Sequence, residues 1–300
     1  MRRYRYVRLD VFTDRPLTGN GLTVFTDARG LDGSEMLALA REMAQSETTF
    51  ILPQDPAVEA KTGVRVRIFT VGEELPFAGH PTLGTAAVIA AERQVDEVLL
   101  DLDVGPVPVR FQPAVAGAPL TGEMTQRDPV FGDIHERSSV LRALGIPDRE
   151  LAIDAPIQTV STGLAYVIVP IASLAMLRDL RPDWLRLSDY LERTDGKFFY
   201  LVSRQTADPQ NRLHARMIFY GGEDPATGSA AGPCAAWMVR YGLASSNVSF
   251  GIEQGLEIHR PSRLVVSAGL QGDHVGNVRV GGQVITVGGG EVVLPDAPRR

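Results

Sequence analysis

Between Thr82 and Ala91 the chain offers no polar face to water: Leu83, Gly84, Ala86, Ala87, Val88, Ile89, Ala90 and Ala91 fill the stretch. Pro81, just before it, suits the first turn of a helix. A helix apolar on every side has to be enclosed by other elements. A second stretch of the same kind runs from Ala226 through Thr-Gly-Ser-Ala-Ala-Gly-Pro-Cys-Ala-Ala to Trp237 and Val239. The chain must therefore build two enclosures, each around one helix.

The segments leading into these helices echo each other. Ile68-Phe69-Thr-Val-Gly72-Glu73-Glu74 lines up with Ile218-Phe219-Tyr-Gly-Gly222-Glu223-Asp224, and one inserted residue later Pro76 meets Pro225. A repeat this close indicates duplication. Most of the remaining chain alternates apolar and polar residues at the period of a half-buried strand. Examples are Val7, Leu9 and Val11, then Val64, Val66 and Ile68, and the stretches 198–202, 213–219, 264–267 and 284–287. Amphipathic helices are expected after Ser34, which can cap a helix placing Met36, Leu37, Ala40, Met43 and Ala44 on one face, and over 136–144 and 171–180. Sheets wrapped around a buried helix satisfy both patterns, since the helix needs cover and the strands need an apolar face to bury. The expected fold is α+β, with two pseudo-symmetric domains, each a barrel-like curved β-sheet around a central buried α-helix. The N-terminal domain is expected over 1–117, completed by a C-terminal strand near 283–297. A crossover follows over 118–132, inside the proline- and glycine-rich region from Gln112 to Asp133, and the second domain covers 133–282.

A length of 300 residues, with 44% hydrophobic and 22% charged residues, fits two ordinary globular halves. No apolar run reaches the length that crosses a bilayer, and Met1 to Asp10 alternates charge with apolar residues, unlike a secretory signal. A soluble, cytoplasmic protein is expected. Cys234 is the single cysteine, which excludes an internal disulfide and a cysteine-cluster metal site. The net charge of −6 comes without a basic tract, so nucleic acid is not an expected partner. His80, His135, His214, His259 and His274 lack the close pairing of helical zinc sites, and no metal is expected.

The repeated motifs end where buried helices begin, and free N–H groups at a helix start attract an anion such as a carboxylate. Gly79 in one copy, and Gly228 and Ser229 in the other, let a ligand approach the backbone closely. The plainer reading is that both glycines only permit tight turns, but two matching copies favour the binding role. His80 has a charge state adjustable near neutrality, and its plainer role is to cap its own turn. Asp224 before Pro225 is also an ordinary helix-starting pair, and Ser229 an ordinary first-turn residue. Glu47 lies between a helix end and the apolar run Thr49 to Leu52, where partial burial would raise its pKa toward that of a proton shuttle. By spacing alone a solvated loop glutamate is the commoner outcome.

Asp10-Val-Phe-Thr-Asp-Arg-Pro16, Gly19-Asn20, Ser46-Glu47-Thr48-Thr49-Phe50, Glu74-Leu-Pro-Phe-Ala-Gly-His-Pro-Thr-Leu-Gly84 and Glu223-Asp-Pro-Ala-Thr-Gly-Ser-Ala230 together resemble the PhzF-like proteins of phenazine biosynthesis, over nearly the whole chain. The resemblance implies the two-domain fold of diaminopimelate epimerase, with an active site between the domains. It implies an isomerase that needs no cofactor or metal and moves a proton between carbons of a small cyclic carboxylic acid. Glu47 would be the acid–base residue, with His80 and Asp224 assisting. Gly79, Gly228 and Ser229 would bind the substrate's carboxylate. The homodimer common in that family is the assembly it allows. Related epimerases use two cysteines where this chain has Ala78 and Thr227. Gly21 and Thr23 stand where members often have proline and alanine, and His259 replaces a frequent glycine in the sequence before Arg260-Pro-Ser262. Two other readings stay open: a non-catalytic small-molecule or protein-binding module, and an amino-acid epimerase using carboxylate bases.

Overall fold

The computed structural model describes residues 1–115, 117–152, 154–219 and 222–296. Tyr220 and Gly221 of the second repeat motif, and residue 297 of the expected last strand, lie outside them. The chain divides into one unit of residues 1–124 with those from 282 onward, and a second unit of residues 125–281.

In the first unit the elements follow in the order β1 (Arg2–Val11), β2 (Asn20–Phe25), α1 (Gly33–Met43), β3 (Glu47–Leu52), α2 (Pro56–Thr62), β4 (Val64–Phe69), β5 (Glu74–Leu75), α3 (Gly79–Arg93), β6 (Glu97–Leu102), β7 (Gly105–Phe111) and β8 (Leu120–Thr125). The second contains β9 (Val130–Ile134), α4 (Arg137–Leu144), β10 (Gln158–Ser161), β11 (Ala165–Ile171), α5 (Leu174–Asp179), α6 (Trp184–Leu191), β12 (Phe198–Ser203), β13 (Leu213–Phe219), β14 (Gly222–Asp224), α7 (Gly228–Arg240), β15 (Phe250–Gln254), β16 (Ser262–Gln271) and the long β17 (His274–Leu294), whose end returns to the first unit.

Both units follow one strand plan. In the first, neighbours run β17, β1, β2, β3, β4, β6, β7, β8, and β8 pairs with β17 to close an eight-stranded barrel. In the second they run β9, β10, β11, β12, β13, β15, β16, β17. The parallel pairs fall at matching places, β2 with β3 and β4 with β6 in one unit, β11 with β12 and β13 with β15 in the other. The fold is α+β, each unit a curved sheet around one helix.

The all-apolar helices are α3 and α7, buried from Gly79 to Ala90 and from Gly228 to Val239. Gly84 shows how tightly the first is held. A Cβ there would lie 2.5 Å from Leu22 Cδ2 and 2.9 Å from Val11 Cγ2, so only glycine lets β1 and β2 approach so near. The outer sheet faces are covered separately. Phe25 stacks on Phe50 at 5.0 Å, Phe69 meets Phe50 edge-on at 5.5 Å, and Met36, Leu39 and Ala40 of α1 close over them. In the second unit α4, α5 and α6 bring Val140, Leu177 and Leu187 over Val167, Phe199 and Ile218. Each such side chain, once fully buried, contributes roughly 1.5–3 kcal/mol.

Register shows the duplication without the inserted residue that sequence alignment needs. Ile68 pairs with Leu75 and Phe69 with Glu74, as Met217 pairs with Asp224 and Ile218 with Glu223. Arg67 forks onto Glu74 through two bonds of 2.6 Å, and Arg216 onto Glu223 through bonds of 3.0 and 2.7 Å. Arg67 through His80 thus match Arg216 through Ser229 without a gap. The sequence alignment anchored on the two Ile-Phe pairs, which sit one residue out of step.

Three other expectations shift. Asp32, not Ser34, is the N-cap of α1, in a capping box with Glu35. The helix expected from Ile171 starts at Leu174, because Ile171 ends β11 and Ser173 supplies the cap. The aperiodic stretch 118–132 contains β8 and part of β9. Gly122 breaks the alternation there, since a Cβ would lie 2.4 Å from the Phe111 ring, and a strand interrupted by glycine carries little period-two signal. Among the described residues, no helix is long and apolar enough to cross a membrane.

The buried fork in the second unit makes a direct test. The Arg216 and Glu223 side chains are 6% and 8% exposed, and Arg216 also donates to the Leu177 and Leu180 carbonyls. Arg216→Leu leaves a buried carboxylate uncompensated and is expected to lower urea-unfolding stability by about 3–5 kcal/mol. The double variant with Glu223→Leu should recover more than half of that loss. A double variant no more stable than the single one would contradict the pairing.

Candidate active site

The helices divide by how their first turns are capped. Among the described residues, the peripheral helices α1, α2, α4, α5 and α6 carry capping side chains, from Asp32, Asp55, Glu136, Ser173 and Asp183. The central α3 and α7 begin after Ala78 and Thr227, and neither is capped by a side chain. Alanine has no group to offer. Thr227 has a hydroxyl of the right kind, but it is spent elsewhere, donating to Asp224 Oδ2 at 2.6 Å. The first-turn N–H groups of both central helices thus keep their positive character for an anion.

In the first unit Glu47 opens β3, in register with Leu22 of β2. Leu22 packs on α3 at Gly84, and Thr49, one alternation beyond Glu47, bonds Thr85 of α3 at 2.7 Å. Glu47 therefore points inward, toward the start of α3. Its Oε2 lies 3.5 Å from His80 Nε2, with the carboxylate side chain 17% exposed and the imidazole 5%. That separation is too long for a good hydrogen bond. Burial pushes the His80 imidazole down to about 3, opposed in part by a backbone hydrogen bond with Gly21, so it is neutral near pH 7. His80 Nε2 has no hydrogen-bond partner among the described residues. A small movement or a bridging ligand atom would bring the two groups into hydrogen-bond contact.

The second unit gathers Asp224, Gly228 and Ser229 at the start of α7. Asp224 ends β14, and the rigid Pro225 carries the chain into the helix. The Ser229 hydroxyl bonds the buried Tyr166 hydroxyl at 2.6 Å. Gln126 Nε2 donates to the Gly228 carbonyl at 2.9 Å while its Oε1 accepts from Thr162 at 2.7 Å. It occupies the space a side chain at position 232 would need, a Cβ there lying 1.9 Å from Gln126 Oε1.

The sequence-predicted residues therefore form two clusters, Glu47 with Gly79 and His80 in the first unit, and Asp224 with Gly228 and Ser229 in the second. Tyr166 and Gln126 escaped sequence reading, because an aromatic in an ordinary strand, or an amide just after one, carries no motif. His259 has a local role: it is exposed in a left-handed conformation, φ 58°, the backbone state in which glycine is least strained. Cys234 is buried in α7, and burial pushes its thiol up, away from the reactive thiolate. The described residues hold no cluster of three or more His, Cys, Asp or Glu arranged for a metal ion.

Comparisons with known proteins agree with this architecture. A family model described as phenazine biosynthesis-like protein matches residues 9–290. A trans-2,3-dihydro-3-hydroxyanthranilate isomerase of Pseudomonas chlororaphis is 36% identical over 294 residues, covering 97% of this chain and all of that protein. Among solved structures, a Pseudomonas aeruginosa protein described as a predicted epimerase aligns with TM-score 0.82 and 38% identity, covering 97% of this chain and 100% of that one. A Bacillus anthracis phenazine biosynthesis protein of the PhzF family aligns with TM-score 0.86 and 25% identity, covering 98% and 100%. The shared fold is the diaminopimelate epimerase-like fold.

The depressed His80 pKa has a consequence for stability. The unfolded chain binds a proton at this residue below about pH 6.5 and the folded chain only near 3, so stability is full above 6.5 and declines as pH falls through that window. Between pH 6.5 and 5 this residue should account for a loss on the order of 1–2 kcal/mol. Thermal unfolding over that range is expected to show a shallower pH slope for His80→Gln than for wild type. Equal slopes would contradict a buried neutral imidazole.

Proposed function

The chain belongs to the phenazine biosynthesis-like family and is an isomerase, and on that premise we propose that Glu47 moves a proton between two carbons of a small cyclic carboxylic acid without a cofactor. The observation that carries this reading is the inward-facing Glu47 carboxylate, 3.5 Å from a buried imidazole at an uncapped helix start. The Glu47 carboxylate takes a proton from one ring carbon, and the electron pair of the broken C–H bond enters the adjacent conjugated system. The Glu47 carboxyl, its proton exchanging with solvent, then delivers a proton to another carbon to form a new C–H bond, leaving the molecular formula and oxidation state unchanged. A carboxylate and an imidazole can carry such a relocation by themselves.

The other residues take supporting roles. Neutral His80 faces the Glu47 carboxyl and, after a small movement, takes a hydrogen bond from its protonated form, while the proton itself stays on Glu47. In the second unit Asp224 is assigned to a polar substituent of a ligand and the N–H groups of Gly228 and Ser229 to a carboxylate, the role that the N–H of Gly79 takes in the first. The substrate's carboxylate also helps to delocalise the charge left when the proton departs. The duplicated plan supports a single base. Tyr166 and Phe198 open the parallel pair β11 and β12 as Leu22 and Glu47 open β2 and β3, so the second unit has a phenyl ring in the place of Glu47. Inversion by two matched bases would call for a second acid there.

The substrate to try first is trans-2,3-dihydro-3-hydroxyanthranilate, named for the Pseudomonas chlororaphis relative. Incubated with it in D2O, wild-type enzyme is expected to give an isomer carrying deuterium at one ring carbon. Glu47→Gln should lower turnover by about 10²–10⁴-fold while remaining folded by circular dichroism. Unchanged turnover in that variant would reject the assigned role.

A further inference from the structure

The carboxylate of Asp224 stands in a hydrogen-bond network whose donor directions can be worked out. Gln254, at the end of β15, is fully buried. Two backbone groups fix which end of its amide is which. The Thr227 N–H must find an acceptor and meets Oε1 at 3.3 Å, while the Asp224 carbonyl must find a donor and meets Nε2 at 2.8 Å. The Tyr200 hydroxyl also donates to Oε1, at 3.2 Å, and burial pushes its pKa far up, so it keeps its proton. The second hydrogen of Nε2 points to Thr227 Oγ1 at 2.9 Å.

Thr227 Oγ1 therefore accepts from the amide, and its own hydrogen goes to Asp224 Oδ2 at 2.6 Å. A hydroxyl committed in this way cannot receive a proton from the same carboxylate oxygen. The threonine stands at the N-cap position of α7 yet does not cap it, which fits a hydroxyl recruited for another purpose.

We propose that Gln254 is a positioning residue that acts through the Thr227 hydroxyl to hold Asp224 as a hydrogen-bond acceptor, so that Asp224 receives an N–H or O–H of the substrate and does not supply the proton that moves. This rests on the reading of Asp224 as a residue facing the substrate. It narrows that reading: a carboxylic acid lacking an amino or hydroxyl substituent to donate is a poor substrate.

Neutron diffraction from crystals exchanged into D2O tests the proton directions without any turnover. A deuteron on Thr227 Oγ1 directed at Asp224 Oδ2 is expected, and a deuteron on Asp224 Oδ2 directed at Thr227 would overturn the proposal. Kinetics test the consequence. Thr227→Val is expected to lower kcat/KM tenfold to a hundredfold, and Thr227→Ser to recover most of it. Gln254→Glu can donate toward Thr227 only while its carboxyl is protonated, so its activity should fall as pH rises, on a limb absent from wild type, with the protein folded throughout. A Gln254→Glu profile of wild-type shape would overturn the positioning role. If wild type turns over no candidate acid, the functional reading fails, and the deuteron position still decides the network.

Discussion

The enclosure of two helices that have no polar face is the constraint from which the rest follows. A helix such as α3, apolar on every side, cannot rest on one layer of structure, so strands must surround it, and closing a sheet around a single helix produces the barrel plan seen in each unit. Enclosure sets where functional groups can stand. The flank of the helix is sealed by packing as close as that at Gly84, leaving the helix start as the place where backbone N–H groups can meet a ligand. Side chains cap the peripheral helices, whereas Ala78 and Thr227 leave the central ones uncapped.

Duplication supplied two copies of this arrangement, and the copies have specialised. The shared parts are structural: the Arg67–Glu74 and Arg216–Glu223 forks, the glycine opening each central helix, and the parallel strand pairs. The parts that differ are chemical. Where one copy has Glu47 and His80, the other has Phe198 and Ser229; where one has Leu75 and Ala78, the other has Asp224 and Thr227. The two copies thus share a scaffold and carry unlike groups at matched positions.

Much of this was legible in the sequence, for physical reasons that can be named. The central helices declared themselves by lacking polar residues, and the strands by alternation, because burial imposes both patterns. Gly79, His80, Asp224, Gly228 and Ser229 drew attention because they stand in a repeated motif, whereas Glu47, by spacing alone more often a solvated loop residue, was singled out by the family resemblance. Long-range partners were not legible. Nothing local distinguishes Gln254 or Tyr166 from other buried strand residues, and the Arg–Glu forks depend on register that only pairing reveals. The one-residue slip in aligning the repeats has the same origin, since two Ile-Phe pairs look alike in sequence but occupy different rungs of the ladder. β8 escaped notice because Gly122 gives way to the Phe111 ring.

The central claim is that the first turns of α3 and α7, uncapped by side chains, are each left open to an anion. Backbone amide NMR during titration with 3-hydroxyanthranilate, an aromatic acid that cannot undergo the isomerisation, tests it most directly. Saturable shifts concentrated at the amides of Gly79, His80, Gly228 and Ser229, and absent from the capped first turns of α1 and α4, are the predicted result. Saturable binding that leaves those four amides unmoved would contradict it.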